Sequence, residues 1–264
     1  MEAKIDFTVS AQQNADNYYK KAKKLAMKKA GAEKAVKDLE KKLEELKKHS
    51  LTEQKKSIVK IVAKEWYEKF HWFFTSEGFL VIGGRDAQQN ELLNARHFEE
   101  QDLFFHADIF GASAVILKNG TSAGEASKEE AAQFAACYSS AWERMLSSID
   151  VYMLKREQVS KSTNKGSLGT GSFLLKGERK WFKSVELGLV AFTDNSRLNV
   201  VPKKTFERAE HKVAYVAISQ GNAKKSDAAK MVGKALNYPD IDYIMRNLPA
   251  GDFSVKAHSG PAKI

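Results

Sequence analysis

The 264-residue chain has only one cysteine, Cys137, and four prolines. A single thiol excludes an intramolecular disulfide and fits a reducing compartment. Scarce proline beside 43% hydrophobic residues excludes a disordered composition. No apolar run approaches the ~18 residues of a membrane helix, so no membrane partner is expected. The opening MEAKIDFTVS is too polar for a signal peptide. We therefore expect a soluble, cytoplasmic protein. Catalytic signatures are also missing. None of the six histidines forms HExxH or a His/Cys pair at ligand spacing, so no zinc site is expected. There is no P-loop, no GxSxG and no GxGxxG after a strand. No cofactor is implied. GTGSF at 169–173 lacks the P-loop lysine and reads as a hairpin turn.

What is present is charge. Lysine and arginine total 43 against 33 acidic residues, a formal net charge of +10, with a pI near 9.4. That excess favours a polyanionic partner. Its densest part is Lys20, Lys21, Lys23, Lys24, Lys28 and Lys29, with no acidic residue among them. Such a run suits a phosphate backbone or a plain solvated face.

Those lysines sit in a helical arm. Tyr18, Ala22, Leu25, Ala32, Val36, Leu39, Leu43 and Leu46 step by three and four, the spacing of a coiled-coil seam that Lys29 interrupts once. A break is expected at KKHSLTEQ, where Ser50 or Thr52 caps a second helix carrying Ile58, Ile61, Val62 and Trp66 on one face. So short a connection makes the pair antiparallel.

From Phe70 the period changes. FHWFFT and FLVI are strands around the loop SEG, a hairpin with glycine last. Residues 86–97 read as a helix, and DLFFHADIF and SAVILK as two strands around Gly111. SKEE is a capping box, Ser127 the cap and Glu130 reaching back. It opens a helix to about Ser147 whose buried stripe includes Phe134, Tyr138, Trp142 and Leu146, with Cys137 a small core residue. Strands follow at 151–157, 172–176, 188–192, 197–201 and 212–218, then a helical stretch at 226–247 split by Pro239. The fold class is α+β: antiparallel coiled-coil helices over 1–66, then a mixed domain of antiparallel β-hairpins and packed helices over 67–264, in which 208–264 is a C-terminal extension. Trp66 and Trp142 read as core residues.

With these segments placed, WYEKFHWFFTSEGFLVIGGRDAQQNELL strongly resembles the start of the NFACT-R domain. DLFFHADIFGASAVILKN, AAQFAACYSSAWE and VSK…GTGSFLLKGERKWF resemble its later blocks, and SAQQNADNYYKKAKKLAMKKAGAEKA the entry into the family's central coiled coil. The tail, with IDYIMRNLPAGDFSV, is most like archaeal members. The resemblance implies an RNA-binding part of a ribosome-associated quality-control factor. Its partners would be tRNA and large-subunit rRNA on obstructed large ribosomal subunits, where such factors support rescue and nascent-chain tailing. It also implies that the chain is a C-terminal fragment, a split gene product whose NFACT-N half is a separate chain, or a reduced member of the family. Two departures stand out: Phe110 occupies a usual histidine position, and the loop after Lys161 lacks a proline.

The candidate RNA-binding residues are the six lysines together with Arg85, Gln88, Asn90, His106, Asp108, Phe110, Lys161 and Lys180. Arg85 and Lys161 would hold phosphates, one amide among Gln88, Gln89 and Asn90 would tie down the loop and another face RNA, and Phe110 would stack on a base. Arg85, His106, Lys161 and Lys180 are expected to border one polar surface. Two other readings stand: a nucleic-acid-processing enzyme using His106 with Asp108, two positions apart on one strand face, and a coiled-coil protein adaptor. For the His–Asp pair a structural hydrogen bond is the blander expectation.

The lysine run yields a test. Changing Lys20, Lys21, Lys23 and Lys24 to glutamine should flatten the slope of log affinity for RNA against log salt by roughly one for each phosphate no longer neutralised. An unchanged slope means a solvated face.

Overall fold

In the computed structural model, residues 4–54, 65–163, 166–167, 169–195, 197–209, 211 and 213–259 are described. They fall into two units that divide between residues 62 and 63.

Among its described residues the first unit holds one helix, α1 (Ala11–Gln54), 44 residues long. Its start is set by a reciprocal cap: the Gln13 amide donates to Ser10 Oγ (3.2 Å) and the Ser10 amide to Gln13 Oε1 (3.1 Å). The break expected at KKHSLTEQ does not occur; α1 runs through it. The segment has neither glycine nor proline, and Ser50 and Thr52 favour a cap too weakly to stop a propagating helix. Ile58, Ile61 and Val62 of the expected second arm lie outside the described residues. Leu25, Val36, Leu39 and Leu43 of the seam are exposed. So are all six lysines, of which Lys29 pairs with Glu33 one turn on (3.9 Å).

The second unit opens with a 3₁₀ turn at Trp66–Lys69. Trp66 belongs to this turn, not to a helical core face. It is 45% exposed and stacks on His97 with ring centroids 4.6 Å apart. Strands β1 (His71–Phe74) and β2 (Leu80–Gly83) form the expected hairpin, with Gly78 at φ +86° in its loop, a conformation glycine adopts without strain. Then come α2 (Ala87–Arg96), β3 (Leu103–Ala107), β4 (Val115–Leu117), α3 (Glu125–Cys137), the short α4 (Ser140–Glu143) and β5 (Ser148–Lys155). Four two-residue strands follow: β6 (Val159–Ser160), β7 (Ser162–Thr163), β8 (Gly166–Ser167) and β9 (Leu174–Leu175). The chain continues through β10 (Lys180–Glu186), β11 (Leu189–Asp194), β12 (Arg197–Pro202), α5 (Lys203–Arg208), β13 (Tyr215–Ala223), α6 (Lys225–Leu236), α7 (Ile241–Asn247) and β14 (Phe253–His258).

Two main antiparallel sheets result, beside the two-stranded pairs β6-β9 and β7-β8. One has the order β1-β2-β4-β3-β5-β10, the other β12-β11-β13-β14. Helix α3 packs against both, and Phe105, Val115, Val151 and Phe134 lie in one continuous core with Val200, Val216 and Ile218. The far face of the six-stranded sheet carries a second core, with Trp72, Ile82, Phe104 and Leu154 under Leu93 and Phe98. The fold is therefore α+β, and the last helical stretch is split around Pro239 as expected.

The N-terminus of α3 differs from the expected capping box. The helix starts earlier, after Gly124, and its first turn is capped by Glu77 from the hairpin loop, whose carboxylate accepts from the Ser127 amide (3.2 Å) and hydroxyl. That hydroxyl bond holds the Glu77 carboxyl below its ordinary range. Glu130 does not reach back to Ser127. It accepts from the Ser76 amide (2.8 Å) and hydroxyl (2.6 Å). The helix also ends ten residues short of the expected Ser147, because Ser139 accepts from the Ala141 amide and starts a new turn. Leu146 is consequently exposed. Cys137 is buried as expected, its thiol pushed up to about 12 by burial.

The two tryptophans should now separate. Trp142→Ala, at a fully buried position, should cost about 3–5 kcal/mol. Trp66→Ala should cost about 1 kcal/mol, the scale of one ring pair. Urea unfolding of the whole chain measures both; equal costs would contradict the two environments.

Candidate nucleic-acid interface

Alternation along a strand sends neighbouring side chains to opposite faces of a sheet. Phe105 and Ala107 enter the core shared with α3, so Phe104 and His106 point to the other side. The register places His106 opposite Tyr152, and Tyr152 opposite Trp181. Over this face close the start of α2 and the turn at 169–173. They leave a cleft of about 520 Å³ whose lining includes Gly84, Arg85, Asn90, His106, Phe110 and Tyr152.

The double glycine has a steric reason. A Cβ on Gly84 would stand 2.1 Å from Asn90 Oδ1 and 2.8 Å from the Asn90 amide nitrogen. Asn90 Oδ1 accepts from the Ala114 amide (3.1 Å), which ties α2 to the strand beyond. Asp86 caps α2 by accepting from the Gln89 amide (2.8 Å). Gln89 Oε1 accepts from the Arg85 amide (3.1 Å), and its Nε2 donates to the Lys69 carbonyl (3.2 Å). Gln88 is exposed and its side chain has no hydrogen-bond partner among the described residues. Of the three amides, then, Gln89 and Asn90 are structural and Gln88 faces solvent. On the other wall, Gly171 has φ +77° and lies where a Cβ would press on Ala87 at 2.8 Å. GTGSF is a turn packed on α2.

Arg85 is half-buried and turned partly inward. Its Nη2 donates to the Phe70 carbonyl (3.0 Å) and to Asn247 Oδ1 (3.4 Å). Burial lowers its pKa from the ordinary value. It lines the cleft, but one arm of the guanidinium is already held by the protein. His106 Nδ1 lies 3.2 Å from the Tyr152 hydroxyl, and burial holds its imidazole below the ordinary value. The expected His–Asp hydrogen bond is absent among the described residues. Asp108 is exposed; its backbone amide, not its carboxylate, is tied, to the Asp150 carbonyl (2.8 Å). Phe110 is 93% exposed at the tip of a turn fixed by Ser140 Oγ, which donates to the Phe110 carbonyl (2.6 Å).

Lys161 reaches the cleft wall. Its Nζ donates to the Gly169 carbonyl (2.8 Å), pairs with Glu91 (3.2 Å) and stands 5.9 Å from the Phe173 ring centre. Lys180 does not share this surface. It pairs with Glu125 at the start of α3 (2.7 Å) and lies over Phe182, which packs on the opposite core. Strand alternation is the reason, and it brings Arg179 and Trp181 to the cleft side instead. Arg179 stands 4.5 Å from the Tyr152 ring centre. The signal lies in RKWFK, where Arg179, Trp181 and Lys183 fall at every second position. The six arm lysines belong to the other unit.

The family described as NFACT protein RNA binding domain matches residues 69–177. The ribosome quality control complex subunit NEMF homolog of Drosophila melanogaster is 39% identical over 190 residues, 69% of this chain and 19% of that protein. The archaeal Rqc2 homolog aRqcH of Methanocaldococcus jannaschii is 36% identical over 207 residues, 75% of this chain and 30% of that protein. Human ribosome quality control complex subunit NEMF is 40% identical over 181 residues, 65% of this chain and 16% of that protein. The chain thus spans less than a third of the length of these relatives. A solved structure, the C-terminal part of the fibronectin/fibrinogen-binding protein from Streptococcus suis, is 22% identical with a TM-score of 0.39, over 67% of this chain and 77% of that one.

Beside the cleft, His71 is buried, and its Nδ1 has no hydrogen-bond partner among the described residues. Burial first, then Arg85 and Lys225, hold its pKa well below the ordinary value. The folded chain therefore resists a proton that the unfolded chain accepts below pH ~6.5. Stability is full above that pH and declines as pH falls through it, by up to about 1.4 kcal/mol per pH unit for this group. His71→Phe should keep the ring contact with Tyr138 and show a shallower decline between neutral and mildly acid pH. Parallel curves for the two proteins would remove His71 from the account.

Proposed function

We propose, from the membership of residues 69–177 in the NFACT-R family, that this chain is the RNA-contacting module of a ribosome-associated quality-control factor. One observation carries the reading. Every residue lining the cleft lies between Gly84 and Leu175, inside the matched segment. The site is thus built by the part of the chain that resembles RNA-binding domains. Its chemistry suits RNA: an exposed ring at Phe110 for an unpaired base, a cation at Arg85 for a phosphate and the His106–Tyr152 pair as hydrogen-bonding groups, with Lys161 and the solvent-facing Gln88 outside the lining as a further cation and amide. The net charge of +10 adds long-range attraction to a polyanion.

The relatives named for ribosome quality control suggest the setting. The RNA would be tRNA and large-subunit rRNA on a stalled large ribosomal subunit, in the cytoplasm, and an NFACT-N half would supply what rescue and nascent-chain tailing need beyond RNA contact. The arm lysines would extend the contact along the ribosome.

Phe110→Ala tests the site. Removing one stacked base should weaken single-stranded RNA binding by about 1–3 kcal/mol, with the unfolding midpoint unchanged because the ring is exposed. Lys161→Gln should lower the salt slope by roughly one. Arg85→Ala is a poor probe, since its contacts to Phe70 and Asn247 support the fold. Co-sedimentation with large subunits, with and without an NFACT-N chain, tests the setting. Unchanged RNA affinity in both variants would remove the cleft from the interface.

A further inference from the structure

The six-stranded sheet ends at β10, an edge strand, and its outer residues do not resemble an ordinary solvated edge. Trp181 is 37% exposed. Lys183 Nζ stands 4.3 Å from its ring centre and Arg179 Cζ 5.9 Å. The ring meets Tyr152 edge-on with centroids 5.4 Å apart, and Tyr152 in turn meets His106 at 5.6 Å. Tyr152 and His106 both line the cleft. The rings therefore form one row across β3, β5 and β10 that leads from the cleft to the edge of the sheet. Arg179 has no carboxylate within ion-pair distance among the described residues. Lys183 pairs with Asp150 (2.8 Å), but the pair is largely exposed, and exposed pairs are weak and exchangeable. The backbone is set to present this group. Ser184 has φ +50°, the pairing of β10 with β5 shifts between Phe182 and Val185, and the Ser184 amide donates to Asp150 Oδ1 (2.9 Å).

We propose that Arg179, Trp181 and Lys183 form a second contact for RNA, specific for a single strand: one unpaired base stacks on Trp181 while the two cations hold the phosphates on either side. The proposal rests on the RNA-binding reading above and names the form of RNA that the surface takes. The reasons are physical. A base needs an exposed aromatic or guanidinium plane, and Trp181 and Arg179 offer both. Bases in a duplex are stacked on each other and cannot present a face to a ring at a sheet edge. The Lys183 ammonium now over the indole is a solvent-exposed group that yields to the base and turns to its phosphate. Cations two residues before and two after Trp181 flank it on both sides along the strand. Continuity with the cleft lets one strand run from Phe110 past His106 to the edge.

The test uses the full chain, a labelled single-stranded oligoadenylate, and the same strand paired with oligouridylate. Trp181→Ala should weaken affinity for the single strand roughly 5- to 100-fold and for the duplex less than about twofold, the residual expected when only sequence-independent phosphate contacts remain. Trp181→Phe should recover most of the affinity. Arg179→Gln with Lys183→Gln should lower the salt slope for the single strand by about one to two. If the wild-type chain binds RNA and Trp181→Ala matches it, this contact is wrong and the RNA-binding reading stands. If the wild-type chain binds neither form, the reading itself fails and the contact with it. Should Trp181→Ala lower the unfolding midpoint, the double glutamine variant decides, and an unchanged salt slope overturns the proposal.

Discussion

The carboxyl group of Glu130 is fully buried in the middle of the second unit, and much of the arrangement hangs on its partners. A buried ionisable group without partners is costly. Here it accepts from the amide and hydroxyl of Ser76, in the first hairpin, and from Arg208 of α5 (3.4 Å). One residue of α3 thus joins the six-stranded sheet, through its hairpin, to the helix that follows β12 of the second sheet. Glu77 from the same hairpin loop caps α3, so helix and hairpin each complete the other. The apolar faces of both sheets then close on a helix whose position is already set by polar contacts.

That arrangement decides where a site can be. With α3 on one face of the six-stranded sheet, binding groups must come from the other. There α2 and the turn at 169–173 cover only part of the strands, and His106, Phe110 and Trp181 remain near the surface. Gly84 and Gly171 let these covering pieces come close, and the Asn90 side chain ties α2 to the strand beyond. The cleft is what is left when two short segments lean on a wide sheet. Arg85 shows the compromise: it lines the cleft and also carries the carbonyls of the turn before β1.

Local pattern makes much of this legible. The hairpin at FHWFFTSEGFLVI, with its positive-φ glycine, follows from strand period and turn chemistry, and the amides after the double glycine divide into structural and solvent-facing groups. What local pattern misses depends on distant partners. Ser127 lies in a good local capping pattern, yet a carboxylate fifty residues earlier in the chain displaces it. KKHSLTEQ looks like a stop, but nothing in it forbids a helix. Arg85 looks free in the sequence because the carbonyl of Phe70 that holds it is fifteen residues away. Lys180 stands out by charge alone, whereas the alternation of β10 turns it to the α3 side. The strand itself is hidden by its own exposure, since lysines and a shift in pairing at Ser184 blur the apolar period.

The same shift has a consequence for how molecules of this protein behave toward one another. An open sheet edge offers unpaired amides and carbonyls to any strand that drifts past, and a flat one invites sheet-to-sheet addition. At β10 the left-handed Ser184 interrupts the ladder, and the neighbouring Lys180 and Lys183 place like charges where an identical strand would have to dock. The broken ladder and the lysines together disfavour the addition of an identical strand at this border. An edge kept unfit for self-association in this way can stay uncovered at high concentration, which a surface that waits for a transient ligand requires.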